Sequence, residues 1–254
     1  MITTSKKKIH SLIDSFKIEK NSYVIVHSSL FFLGKIEGGI NSLLDILISK
    51  FGKTGTIIMP TFTFSFRRKM DYNVNKSRCH PLIGMLPEQF RKKRGVYRNL
   101  EPLFSFASYG VDKKVIKRNS NNSFGKGSVF DNVFKKKGII LSLGVELSHG
   151  ITEFLHIEKM ANVPFRYDKK ISGFTIDYKN KKKKDYVYHF VKNEKFFKKH
   201  KSNREKILSK LIEKKICDRK KFGYGAAFKL NMEDLYDYTV KELRKNPYLM
   251  IDKI

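Results

Sequence analysis

Apolar residues recur in two rhythms along this chain, and the rhythm changes near Tyr167. Ile9, Leu12, Ile13 and Phe16 fall on one face of a helix that Thr3 or Thr4 can N-cap. "YVIVHSS" (Tyr23–Ser29) is an unbroken apolar run, the pattern of a strand covered on both faces. "GGINSLLDILISKFG" follows as an amphipathic helix closed by Gly52 as its C′ residue. "GTIIMPTFTF" reads as a second buried strand ended by Pro60, and "GIILSLGV" (Gly138–Val145) as a third. Between them, "LPEQFRKKRG" (Leu86–Gly95) and "GSVFDNVFKKKG" (Gly127–Gly138) predict short helices.

Beyond Tyr167, "GFTIDY" and "DYVYHFV" alternate with period two around a "KNKKKK" loop. Helices are predicted near Glu205–Lys215 and Met232–Lys245. Strand–helix alternation argues for an α/β fold with a central, largely parallel sheet flanked by helices. The later segment reads as a sheet extension and a helical cap. One domain over residues 1–254 is therefore expected, with 1–167 as the core and 168–254 as the extension.

Charge changes the picture most. With 53 Lys or Arg against 24 Asp or Glu, the formal net charge is +29. Lysine abundance accounts for most of that total, but residues 169–221 still hold 20 Lys or Arg against 6 Asp or Glu. Such a segment is either a solvated surface or a wall that attracts anions. Aromatics interleaved with lysine in "YVYHFVKNEKFFKKHK" raise a nucleic-acid-binding alternative. It is disfavoured because the aromatics alternate as sheet residues would, and no recognition motif is present. No apolar run reaches the length of a membrane span, and the N-terminus lacks a secretory h-region. Two cysteines, Cys79 and Cys217, provide neither a disulfide framework nor a metal site, so a cytoplasmic setting is expected.

Candidate chemistry gathers at strand ends. His27, Ser28 and Ser29 close one strand, and Thr61 and Thr63 follow another. Ser105 and Ser128 lie in "PLFSFAS" and "FGKGSVF". Each has an ordinary structural role open to it, as a strand end or a helix cap. "HGITEFLHIEKMANVPFRY" (His149–Tyr167) places two histidines and two glutamates near a helix start. That is either an acid–base centre or a polar entry to an ordinary helix.

Taken in order, these segments resemble the aminoglycoside 3-N-acetyltransferase family in its broad sense. VHSSL, LG followed by GG, GTIIMPTFT, LPEQFR, R-x-x-x-P-x-x-S-x-A starting at Arg98, FG-x-GS and LGV carry the likeness. "FGYGAAFKLNMEDLYDYTVKEL" resembles the family's closing segment. The resemblance implies an α/β enzyme that moves an acetyl group from acetyl-CoA to an amine, with no metal. It implies that His27, Ser28, Ser29, Thr61 and Thr63 line the cofactor's arm, and that Ser105 and Ser128 add hydroxyl contacts. The family's catalytic pattern is Thr-x-x-His-x-x-Glu, in which the His deprotonates the acceptor amine and the Glu orients it. Thr152 and Glu158 match, but Leu155 stands at the histidine position and the histidine follows at 156. One helical residue turns a side chain by about 100°. His156 is expected to act as the base with Glu158 in support, and His149 is the substitute. Glu153 is a further carboxylate in reach, or merely a complement to the helix dipole.

Two acceptors compete under this reading. Aminoglycosides are polycations, for which so basic a chain is a poor electrostatic host. A nucleotide-linked amino sugar destined for a surface glycan suits the charge better and is the expected partner.

Overall fold

The computed structural model describes residues 2–68, 70–145 and 150–254. A seven-stranded sheet forms its centre, built from β1 (Tyr23–Ser28), β2 (Thr56–Pro60), β3 (Tyr97–Arg98), β4 (Phe106–Gly110) and β5 (Ile139–Leu143). A C-terminal hairpin, β8 (Cys217–Phe222) and β9 (Gly225–Asn231), completes it in the order β8-β9-β5-β1-β2-β4-β3. A second, long hairpin lies outside this sheet, formed by β6 (Arg166–Ile176) and β7 (Lys182–Lys192).

Alternation along each central strand divides the core in two. Val24, Val26, Ile57, Met59, Leu141 and Leu143 face one layer, under α1 (Lys6–Ser15), α2 (Gly39–Phe51) and α3 (Met85–Phe90). Ile25, Ile58 and Ile140 face the other. That layer is covered by α4 (Val129–Lys135), α5 (Glu153–Met160), α6 (Glu205–Glu213) and α7 (Met232–Lys245). Coverage of both faces is why these strands are continuously apolar.

The sheet is mixed, where the sequence pattern suggested largely parallel pairing. Only β5-β1-β2 run parallel, while β4, β3, β9 and β8 join antiparallel. A tight turn can connect only antiparallel neighbours, and β8 and β9 are joined through Gly223 and Tyr224. Gly223 has φ +62°, and a Cβ there would lie 2.3 Å from the Phe32 carbonyl oxygen. Residues 217–231 thus belong to the central sheet and not to a peripheral cap.

Two local expectations also shift. The first helix is capped by Ser5, whose hydroxyl accepts from Lys8 N, while Thr3–Thr4 pair with Lys35–Ile36. Gly52 keeps a right-handed φ of −83°, and its need for glycine is close packing against the Tyr109 ring. Lys182–Lys184, expected in the hairpin loop, lie in β7 opposite Phe174–Ile176, and the loop is residues 177–181.

Candidate active site

The parallel strands β1 and β5 end side by side, and a groove of about 480 Å³ opens beyond their carboxyl ends. Ser28 and Ser29 form one wall, Leu82, Gly84 and Met85 the other, with Gly144 and Gly150 nearby. Crevices at the carboxyl ends of parallel strands are where α/β folds take ligands. Gly144 has φ +77°, and a Cβ there would come within 2.7 Å of the Ser29 carbonyl oxygen. The Ser29 amide is already given to the Leu143 carbonyl at 2.9 Å. The Ser29 hydroxyl remains available to the groove, beside Ser28.

The other expected hydroxyls are engaged inside the protein. Arg98 is buried and binds the Thr61 hydroxyl at 3.1 Å, the Thr61 carbonyl at 2.7 Å and the Ser105 hydroxyl at 3.2 Å. Thr63 donates to the Pro102 carbonyl at 2.8 Å. Ser128 caps α4 by accepting from Asp131 N at 3.3 Å. A buried guanidinium demands partners for its N–H groups, and Thr61 and Ser105 supply them. Thr61, Thr63, Ser105 and Ser128 are therefore structural groups here, absent from the groove wall.

His27 falls on the same face of β1 as Ile25, the face under α5, and there it meets Glu153. Its Nε2 lies 3.0 Å from Glu153 Oε1, with the side chains 5% and 2% exposed. Glu153 Oε2 is buried with no hydrogen-bond partner among the described residues. His156 approaches the same carboxylate from within the core. It lines a small void of about 10 Å³ with Glu153, Phe134 and Tyr236. Its Nδ1 accepts from Gly125 N at 3.1 Å, so the neutral ring carries its proton on Nε2. Burial pushes its pKa down to about 4, against the opposing pull of Asp131 and Glu153.

Glu158 is turned elsewhere. It is 1% exposed and lies 2.5 Å from Arg166 Nε and 3.5 Å from Arg204 Nη2. The closer contact is an ion pair without hydrogen-bond alignment, since both atoms lack a bonded partner by geometry. These arginines stand at a second, larger cavity of about 1130 Å³, whose lining includes Leu155, His189 and Lys192. His189 is pushed down to about 4 by burial and by Arg67, Arg166 and Lys169.

A sequence profile of the aminoglycoside 3-N-acetyltransferases matches residues 25–244. The chain belongs to this family. A curated relative is the SPbeta prophage-derived aminoglycoside N(3')-acetyltransferase-like protein YokD of Bacillus subtilis strain 168. It is 26% identical over 164 residues, which is 56% of this chain and 60% of that protein. The match thus spans less than two thirds of the relative's length. Among solved structures, the aminoglycoside acetyltransferase AAC(3)-IVa superposes with a TM-score of 0.80 at 20% identity, covering 98% of this chain and 92% of that one. AAC-IIIb, solved with CoASH, gives 0.80 at 15% identity over 96% and 97% of the two chains. At these identities the structural likeness establishes the fold.

Against the family pattern, the helix start reads differently from the sequence expectation. Thr152 sits at the N-cap of α5 without a side-chain capping bond. Leu155, at the pattern's histidine position, faces the large cavity. His156 is rotated into the core and does not contact Glu158, which is held by the two arginines. His149 lies outside the described residues. The partner missed from sequence is Glu153 for His27. The sequence offered Glu153 only as a further carboxylate near the helix start, and the assembled fold brings it to His27 across 126 residues.

Proposed function

We propose that this chain is an acetyl-CoA-dependent N-acetyltransferase acting on an amine of a small-molecule acceptor. The observation that carries the reading is the family match across residues 25–244. The Ser28–Ser29 groove supports it. Its apolar rim of Leu30, Phe32, Leu82 and Met85 suits an extended pantetheine arm, and its left-handed glycines admit close backbone approach. Ser28 and Ser29 are the proposed cofactor contacts. The free thiols of Cys79 and Cys217 fit a cytoplasmic setting.

In this reading an acceptor amine attacks the thioester carbonyl, the C–S bond breaks, CoA leaves as the thiol, and the ammonium proton passes to a base. His27 is the proposed base. Glu153 holds the Nε2 proton, so Nδ1 presents the lone pair, and the carboxylate stabilises the imidazolium that forms. His27 precedes Ser28 at the carboxyl end of β1; Ser28 lines the groove, and strand alternation turns the His27 ring to the α5 face at the same strand end. His156 has its Nδ1 engaged by Gly125 N and its pKa held low, both unfavourable for accepting a proton at neutral pH. Glu158 then acts in positioning Arg166 and Arg204 on the acceptor side.

For the acceptor, the names of the relatives favour an aminoglycoside amine. One observation favours a second reading, an amino sugar bearing an acidic group: the large cavity beside α5 is lined with cations.

The test is thiol release from acetyl-CoA over an acceptor panel of aminoglycosides, neutral amino sugars and phosphorylated amino sugars. A thermal-shift titration with acetyl-CoA runs beside it. Stabilisation by acetyl-CoA with amine-dependent thiol release is expected, and the absence of both effects would refute the reading. His27→Ala, His149→Ala and His156→Ala identify the base. A loss confined to His156→Ala or His149→Ala, in a folded protein, would move the base there.

A further inference from the structure

The large cavity carries more charge than its neighbours neutralise. Seven of its twenty lining residues are Lys or Arg, and Glu194 is the one carboxylate side chain among them. At one end, Arg166, Arg204 and Lys192 surround a single buried carboxylate, Glu158. Three cations against one anion leave two positive charges uncompensated in a half-buried place. Burial and the neighbouring Arg166 and Arg204 push the Lys192 ammonium below its ordinary pKa, the sign of an unbalanced field.

The two arginines are held by burial and by Glu158. The Arg166 side chain is 5% exposed, with its guanidinium 5.7 Å from the Phe197 ring centroid. Lys192 approaches the same ring at 4.5 Å, and Arg204 stands 5.1 Å from the Phe154 ring. Arg204 Nε is buried with no hydrogen-bond partner among the described residues. The Arg204 side chain keeps 13% of its surface exposed and lines the cavity, so an external acceptor can reach its guanidinium from that side. Planar guanidinium groups held by ion pair and ring contact are suited to phosphoryl oxygens.

We propose that this end of the cavity binds a phosphoryl group of the acceptor through Arg166, Arg204 and Lys192, with Glu158 as the residue that positions the two arginines. The class of ligand is a phosphorylated or diphosphate-linked amine. This rests on the second acceptor reading above. Net charge matches: two uncompensated positive charges meet a phosphate dianion. The breadth of the cavity leaves room beyond the phosphate for a sugar or base, and Tyr167 and Phe190 on its lining offer aromatic faces.

The probes are inorganic pyrophosphate and UDP, followed by calorimetry and thermal shift on the full chain. Both should bind the wild type, with affinity that falls as salt rises. Arg204→Gln and Lys192→Met should each weaken binding roughly tenfold to a hundredfold, the loss of one charge-assisted contact. Lys7→Met, an exposed lysine of α1, should leave it unchanged. Lys192 is itself exposed, so Lys192→Met remains informative should Arg204→Gln compromise folding. Absence of pyrophosphate binding, or equal binding by the variants and the wild type, overturns the proposal. CoA is the other source of phosphate. If CoA displaces pyrophosphate and Lys192→Met weakens CoA but not acceptor, the cations belong to the cofactor and the assignment to the acceptor is overturned. Acetyl-CoA binding and thiol release with an unphosphorylated amine are read separately, so failure here is distinguishable from failure of the acetyltransferase reading.

Discussion

Removing His27 should strand a buried charge, and the size of the effect follows from the geometry. His27 Nε2 and Glu153 Oε1 are 3.0 Å apart with side chains 5% and 2% exposed, and Glu153 Oε2 has no hydrogen-bond partner among the described residues. His27→Ala therefore leaves a carboxylate in the core without its one bonded neighbour. Breaking a buried pair in this one-sided way costs about 3–5 kcal/mol, a large part of the roughly 5–15 kcal/mol that holds a domain together. Glu153→Gln should cost only about 1–2 kcal/mol, because an amide oxygen can still accept from Nε2 while charge assistance is lost. The double variant removes both the charge and its partner, so it should be less destabilised than the two single losses together, by about 1.5–3 kcal/mol. Urea unfolding of the four proteins measures this cycle, with unchanged denaturant slopes as the check that the unfolded states are comparable. Thiol release adds the functional arm. His27→Ala should lower turnover roughly a hundredfold to ten-thousandfold, the range for a removed general base, while acetyl-CoA still binds. Single losses below about 1 kcal/mol that add within about 0.5 kcal/mol would refute the pairing. Full turnover in a folded His27→Ala protein would refute its role as the base.

Other consequences are quicker to check. His156 is held at about 4 and His189 at about 4, both mainly by burial, so each folded ring binds its proton later than the unfolded chain does. Stability should then fall as pH drops from about 6.5 towards 4, and His156→Gln should remove up to roughly 3 kcal/mol of that fall, read from unfolding midpoints across pH. An unaltered slope would place the acid sensitivity elsewhere. Ser29→Trp should obstruct the groove and weaken acetyl-CoA binding, whereas Ser105→Ala should cost about 1–2 kcal/mol of stability and leave that affinity intact. The reverse result would return Ser105 to the cofactor site. Burial lifts the Cys79 and Cys217 thiols to about 12, so iodoacetamide at pH 8 should label them only after unfolding, as mass spectrometry would report.

Local periodicity determined much of this fold. The apolar runs at Tyr23–Ser28, Thr56–Pro60 and Ile139–Leu143 form strands because only a doubly covered strand needs such a run. Met232–Lys245 forms its helix with the bounds its amphipathic pattern predicts. The order of family segments pointed to His27–Ser29 and Thr61–Thr63 as cofactor contacts, and of these Ser28 and Ser29 line a groove. The strand Phe106–Gly110 was missed, because "FASYG" is short and half polar, and its place in the sheet comes from pairing with Thr56–Pro60. Residues 217–231 carried no signal that they would close the central sheet, since antiparallel docking on Ile139–Leu143 is a contact between distant segments. The site divides in the same way. A histidine at a strand end was legible, but its partner lies 126 residues away on another element. The direction of His156 depends on where the helix begins and which face the core takes. A one-residue offset is a rotation of about 100°, and packing against Phe130 and Tyr236 sets that rotation. Sequence alone determines which residues are near one another along the chain. Only tertiary packing decides which of them face the same space.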